Sequence, residues 1–226
     1  MKKTLLFLLL AVATAPAAFA QARPGGSLSS KDYTGGKTTD SRNTGFGVKG
    51  GYSLSNFYGG GQDAFNGRSS LNTFHAGVYG QFGFNDFSSV QVELLYSRKG
   101  IRSNYNNAGL SDLRLDYLSL PILYVGNITD NISFHIGPEV SLLTKVSAYG
   151  KDLDLNDNGF NNFDIAGVAG LEARIGPARV GARYDLGLAR VIKEGRSFSP
   201  LIGATGNDTK FHNQTFQVYV GIGLTQ

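Results

Sequence analysis

The sequence predicts an all-β chain: an eight-stranded antiparallel transmembrane β-barrel with short periplasmic turns and long extracellular loops. Apolar and polar residues alternate with period two in eight segments between Gly45 and the C-terminus, as strands with two unlike faces require. The connections alternate long and short, and segments of about 10 to 14 residues can cross a bilayer core when tilted. Glycine supplies 31 of 226 residues and aromatics 12%, with one Met and no Trp, a composition that favours sheet over helix.

The chain opens on residues that do not belong to this pattern. Lys2 and Lys3 form a positive start, Leu5 to Ala15 an apolar run and Ala18-Phe19-Ala20 a small-x-small site, so residues 1–20 read as a secretory signal peptide cleaved near Ala20. The apolar run is too short to span a membrane comfortably. The absence of cysteine excludes a lipid-modified Cys and a disulfide framework. Without Lys2 and Lys3 the formal charge falls from +4 to +2. No basic run with interleaved aromatics occurs, so nucleic acid is not an expected partner. Residues 21–43, rich in Gly, Ser, Thr and Lys, bury too little apolar surface to offset their ordering entropy and read as a flexible leader. The barrel is expected over 44–226 as one domain.

In the first strand Phe46, Val48, Tyr52 and Leu54 oppose Gly47, Lys49, Gly51 and Ser53. Tyr58 to Ser70 is a long loop, with Gly59-Gly60-Gly61 and Asn66-Gly67. Strand two sets Phe74, Ala76, Val78, Phe82 and Phe84 against His75, Gly77, Tyr79, Gln81 and Gly83. After a turn at Asn85, Asp86 and Phe87, strand three sets Val90, Val92, Leu94 and Tyr96 against Gln91, Glu93, Ser97 and Lys99. Gly100 to Asp112 is the second long loop. Strand four, Leu113 to Val125, has two possible registers. The favoured one puts Ser119 and Pro121 on the polar face and Leu118, Leu120 and Ile122 outside; the other turns Arg114 and Asp116 inward, and a bulge would reconcile them.

Gly126 to Asn131 has turn composition. Strand five alternates Ile132, Phe134, Ile136, Val140 and Leu142 with Ser133, His135, Gly137, Glu139 and Ser141, and Pro138, which lacks a ladder donor, predicts a bulge or break. Val146 to Asn162 is the third long loop. Strand six sets Phe163, Ile165, Ala169, Leu171 and Ala173 against Asp164, Gly170, Glu172 and Arg174. After Gly176-Pro177, strand seven sets Val180, Ala182, Tyr184, Leu186 and Leu188 against Arg179, Gly181, Arg183, Asp185 and Gly187. Arg190 to His212 is the fourth long loop. Strand eight sets Phe216, Val218, Val220, Ile222 and Leu224 against Gln217, Tyr219, Gly221 and Gly223.

Period two alone does not separate a membrane barrel from a soluble barrel or sandwich, which alternate equally well. The glycines on the charged face, the long-short asymmetry of connections and the Tyr and Phe near strand ends favour the membrane.

Four stretches carry a family resemblance: Gly47-Val48-Lys49-Gly50-Gly51-Tyr52-Ser53-Leu54-Ser55-Asn56, Val92-Glu93-Leu94-Leu95-Tyr96-Ser97-Arg98-Lys99-Gly100, Leu115-Asp116-Tyr117-Leu118-Ser119-Leu120-Pro121-Ile122-Leu123 and Gly137-Pro138-Glu139. In this order, from Gly45 to the C-terminus, the chain resembles the PorT-like family of small outer-membrane β-barrels of diderm bacteria. It departs from the family at Ser119, where an acidic residue is usual. It also ends in Leu224-Thr225-Gln226, where many outer-membrane barrels end in an aromatic residue used in assembly recognition. The resemblance implies the outer membrane as location, its lipid as surroundings, and envelope or secretion proteins as partners.

Lys49, Glu93, Lys99, Glu139, Glu172, Arg174, Arg179, Arg183 and Asp185 fall on the inner face. They read as a lumenal charge network of pairs filling a barrel only just wide enough for its own side chains, or else as an ion path. Ser133, His135 and Glu139 share one face of strand five, but steps of two and six residues put them about 7 and 20 Å apart, so Glu139 cannot orient His135 as in a hydrolase triad. Asp152, Asp154, Asn156, Asn158 and Gly159 resemble half of a calcium loop, but Ile165 stands where its bidentate Glu belongs. No cofactor is expected. The functional expectation is a non-enzymatic outer-membrane barrel acting through loops or partners in protein secretion or envelope maintenance; a small passive pore and a lipid-active enzyme are the alternatives.

Overall fold

In a computed structural model of the chain the described residues are 43–59, 69–104, 110–148, 151–153, 160–192 and 210–224. The signal peptide and nearly all of the leader lie outside them. Eight strands close a barrel: β1 (Gly45–Gly59), β2 (Ser69–Gly83), β3 (Ser88–Asn104), β4 (Leu110–Asn127), β5 (Ile132–Ala148), β7 (Phe163–Ile175), β8 (Ala178–Arg190) and β9 (Phe211–Gly223). Each pairs antiparallel with its neighbour, and β9 returns to β1 from Gly47↔Gly223 to Gly59↔Phe211. The short β6 (Lys151–Leu153) adds to β5 alone among the described residues.

The pleat sorts the side chains. Phe46, Val48, Tyr52 and Leu54 of β1 are exposed outside, while Lys49 and Ser53 are buried inside, and the other strands repeat this inside-out arrangement. The outer face changes from apolar to polar between Leu54 and Asn56, Phe74 and Asn72, Tyr96 and Arg98, Leu118 and Asp116, Leu142 and Thr144, Leu188 and Arg190, and Phe216 and Gln214. Eight residues of tilted β1 separate Phe46 from Leu54, an apolar band of roughly 20 Å and the height of an outer-membrane core. With both barrel ends of the chain and the short turns on one side, that side is periplasmic.

The short turns are fastened locally. Asn85 Oδ1 accepts from the Phe87 and Ser88 amides at 2.9 and 2.8 Å, and Thr129 Oγ1 accepts from the Ile132 amide at 3.0 Å. Between β7 and β8, Gly176 turns the chain at φ +60°, a conformation glycine adopts without a Cβ clash.

The favoured register of β4 runs its whole length. Leu113, Leu115, Tyr117, Ser119, Pro121, Leu123 and Val125 all face in, and no bulge interrupts the strand. The extra residue is instead Thr144 of β5, since Asp116 pairs with Lys145 and Tyr117 with Leu143. Pro138 makes a break without a bulge: pairing with β4 skips from Pro121↔Glu139 to Tyr124↔Ile136 in unchanged register. All four expected loops are partly strand, the second and third most of all. β3 continues to Asn104, β4 begins at Leu110, and β5 reaches Ala148 and turns back through β6. A bridge between Phe160 and Ile192 also ties the third long connection to the fourth.

Candidate functional site

The interior is filled by three successive layers. At the periplasmic mouth Asn43, fully buried, donates to the backbone oxygens of Asn85 and Asp86, both at 2.9 Å. Its Oδ1 accepts from Asn127 Nδ2 at 2.9 Å and Arg174 Nη1 at 3.0 Å. Asn43 thereby ties the start of β1 to the β2–β3 turn and to the ends of β4 and β7. Arg174, expected within the charge network, sits half-buried at this mouth instead.

The middle layer is ionic. Glu93 accepts from Lys49 Nζ at 2.6 Å and from Arg183 Nη1 at 2.7 Å, which joins β1, β3 and β8 across the lumen. Glu172 takes Arg179 at 3.3 Å and the Tyr219 hydroxyl at 3.1 Å, with Lys49 at 3.9 Å. Arg179 also donates to Gln81 and lies over the Tyr79 ring, its Cζ 4.8 Å from the centroid. The Lys49 ammonium stands 4.1 Å from the centre of the Tyr219 ring, within cation–π range. Gly181 makes room for that ring: a Cβ there would lie 2.3 Å from Tyr219 Cζ.

Above this, Lys99 Nζ donates to Glu139 Oε1 at 3.0 Å and stands 3.8 Å from Asp164 Oδ2, which accepts from Asn213 at 2.7 Å. Ser141 donates to Glu139 at 2.9 Å, so Ser119, 2.7 Å from Ser141, donates in turn. Ser119 is thereby linked through Ser141 to Glu139. Asp185 lies 3.8 Å from Arg183 Nε. Of the eight inner charges that the sequence placed with Arg174, Arg179 is the most exposed, at 8%.

The outer layer is apolar. Phe57, Ile101, Leu113, Leu115, Leu143, Val146, Ala148, Phe160, Val191, Ile192 and Phe211 pack with Tyr117 inside the outer end, none more than 3% exposed. Sequence reasoning missed this cap, because an inward Leu on an alternating strand looks like an outward one. It also left out Asp164, placed on the polar face but in no pair, and Asn43, placed in the leader. Neither showed a local signal, since their partners are 49 residues or more from Asp164 and up to 131 from Asn43.

Ser133, His135 and Glu139 do not assemble a triad. Ser133 Oγ lies 3.4 Å from His135 Nε2, but Glu172 approaches that same nitrogen at 3.8 Å and His135 Nδ1 has no partner. A triad needs the acid on the far nitrogen. Glu139 is engaged by Lys99 and Ser141. Of the calcium candidates, Asp154, Asn156 and Asn158 lie outside the described residues; Asp152 pairs with Lys145 at 2.9 Å and accepts from Ser147 at 2.9 Å.

A family model described as an outer membrane protein beta-barrel domain matches residues 19–193. Among solved structures, the chain is similar to Ail of Yersinia pestis, 15% identical over 80% of this chain and 99% of that one, with a TM-score of 0.43. It is similar to Neisserial surface protein A, 13% identical over 78% and 96%, at 0.45. OprG from Pseudomonas aeruginosa is 12% identical over 81% and 98%, at 0.40. No curated protein matches the chain.

Proposed function

Because the chain belongs to the family of outer membrane protein beta-barrel domains and is thus an outer-membrane β-barrel protein, we propose that it is a filled, non-enzymatic barrel that acts through its outer end on partners in the cell envelope. The observation that carries this reading is the continuous interior filling, from Asn43 through the Glu93 and Glu172 pairs to the cap under Phe160 and Ile192. A lumen closed at both ends and in the middle leaves the outer strand extensions and loops as the working surface. The resemblance of the Gly47–Asn56, Val92–Gly100, Leu115–Leu123 and Gly137–Glu139 stretches to PorT-like proteins supports partners in protein secretion or envelope maintenance in a diderm bacterium.

The two alternatives make different demands. A passive pore needs a wetted path past Arg183 and Phe160, each at most 2% exposed. A lipid-active enzyme needs Ser133 accessible and His135 oriented by an acid at Nδ1. The test is mild-detergent extraction from native outer membranes followed by crosslinking and mass spectrometry. A stoichiometric envelope partner crosslinked to the outer end supports the proposal. A lone protein that conducts ions supports the pore, and lipase activity lost in Ser133→Ala supports the enzyme; either outcome sinks the proposal.

A further inference from the structure

Above the periplasmic mouth the lumen holds one more carboxylate than cation. Among the described residues, the inward charges of the middle and upper layers are Lys49, Lys99, Arg179 and Arg183 against Glu93, Glu139, Asp164, Glu172 and Asp185. Arg174 does not restore the balance. It sits at the mouth, level with Arg179, and Asp185 lies six residues farther along β8, about 20 Å away. His75 Nε2 and His135 Nδ1 have no hydrogen-bond partner, so neither ring has the second acceptor that an imidazolium needs. An unmatched carboxylate is costly in a dry interior, where such a group is neutralised rather than left charged.

The surplus falls on Asp185. It is buried, and neither of its carboxyl oxygens has a hydrogen-bond partner. The donors around it are committed elsewhere. Arg183 gives Nε to Gln217 Oε1 at 2.6 Å and Nη1 to Glu93 Oε2 at 2.7 Å, and its Nη2 has no partner. Its Nε stands 3.8 Å from Asp185 Oδ1, so Arg183 hydrogen-bonds Asp185 through none of its nitrogens. Lys99 donates to Glu139 and Asn213 to Asp164. Thr215, the cross-strand neighbour of Asp185 on β9, donates to Ser55 at 3.3 Å. On β7 the neighbour is the buried Val168. The remaining oxygens of this layer only accept: Glu139 Oε2, Asp164 Oδ1 and Asn213 Oδ1 have no donor.

We propose that Asp185 is a buried proton-binding site, its carboxyl carrying a hydrogen at neutral pH, and that this proton balances the charge of the filled lumen. The hydrogen removes the surplus charge and supplies a donor where the surrounding oxygens only accept. The charges that face Asp185 are Glu93 and Lys99 from β3, Glu139 from β5 and Arg183 from β8. Lys49 on β1, His75 on β2 and Asp164 on β7 occupy the same interior, with the Tyr117 hydroxyl on β4 and Asn213, Thr215 and Gln217 on β9. The proton is taken up from water as the chain folds and is returned when unfolding exposes the carboxylate. Stability that depends on it is present at neutral pH and is lost as alkali removes it. The inference concerns the interior alone and is independent of the partners at the outer end.

The test is infrared spectroscopy of the full folded chain in detergent at neutral pH. The wild type should show the carbonyl stretch of a protonated carboxylic acid. That band should shift when the protein carries isotope-labelled aspartate, vanish in Asp185→Asn and persist in Asp164→Asn, with heat-modifiable mobility on a gel showing that each variant is folded. As a second readout, the urea midpoint should fall as the pH is raised above neutral in the wild type and fall less in Asp185→Asn, whose amide needs no proton. Absence of the acid band from the wild type overturns the proposal, whether water or a cation then meets the carboxylate. A band that shifts with labelled glutamate instead, or persists in folded Asp185→Asn, puts the proton on another group and overturns the assignment. Equal alkaline loss of stability in the two folded proteins overturns it as well. Should Asp185→Asn fail to fold, the aspartate label and Asp164→Asn decide: a labelled band that survives in Asp164→Asn supports Asp185, and one lost there overturns it.

Discussion

Arg183 reaches across the lumen from β8 to Glu93 on β3, its Nη1 2.7 Å from Oε2, with both side chains at most 1% exposed. The strands they join are not neighbours in the barrel, so the pair braces opposite walls. Removing either partner leaves a buried charge with too few counter-charges. Arg183→Leu is expected to destabilise the barrel by about 3 to 5 kcal/mol, and Glu172→Leu by a similar amount through Arg179 and Tyr219. The Glu93→Leu/Arg183→Leu double variant should be less damaging than the two single effects added. Heat-modifiability titrated with urea reads all four, and strict additivity would contradict the brace.

Asn43 closes the periplasmic mouth with four hydrogen bonds to three separate segments. Asn43→Ala leaves Arg174 without that acceptor and takes one donor from each of the Asn85 and Asp86 carbonyls, although Asp86 keeps Asn127 Nδ2 at 2.7 Å, and should cost about 1 to 3 kcal/mol. The Asn127 amide, which donates to the Phe87 carbonyl at 2.8 Å, should exchange its hydrogen faster. Unchanged exchange there would show that the clamp is dispensable.

Ser119 is the residue at which the chain departs from the resembled family, and its hydroxyl leads through Ser141 to Glu139. Ser119→Asp places a second carboxylate beside the first and should weaken the barrel, whereas Ser119→Ala removes one hydrogen bond at about 1 kcal/mol. Comparing their urea midpoints decides whether charge or the hydrogen bond governs this position.

Outside the band, the Arg102 hydrogen bond holds the Asp112 carboxyl below the usual carboxylate range; partial burial opposes this and Arg114 adds to it. A depressed folded-state pKa contributes stability that is present above the unfolded value, near 4, and is lost as the pH falls through the folded value. The Nε–H resonance of Arg102 in detergent-solubilised protein should therefore hold its position from neutral pH down to about 4 and shift below it. Asp112→Asn should abolish the transition; a transition that persists in that variant would assign it elsewhere.

The strand pattern was legible because each half of an alternating strand meets a different solvent, so parity survives wherever one face touches lipid. It fixed the inner positions of Lys49, Glu93 and Arg183 but not their partners, which come from strands far apart in sequence. The register of β4 was ambiguous for the same physical reason that hid the cap: Leu113, Leu115, Leu123 and Val125 are apolar and face inward, so polarity no longer separates the two faces. The outer extensions were read as loops because their outward residues are Arg, Asp and Lys, which mark loop on a membrane strand. β6 was hidden in the Asp- and Asn-rich stretch that also suggested a calcium loop.

Among the described residues, side chains close this barrel from end to end. Single-channel recording of the purified protein in planar bilayers tests that closure. Folded protein, verified by heat-modifiable mobility, should add no stepwise conductance above the bare bilayer. Reproducible unitary steps from the wild-type chain would contradict it and return the lumenal charges to the role of an ion path.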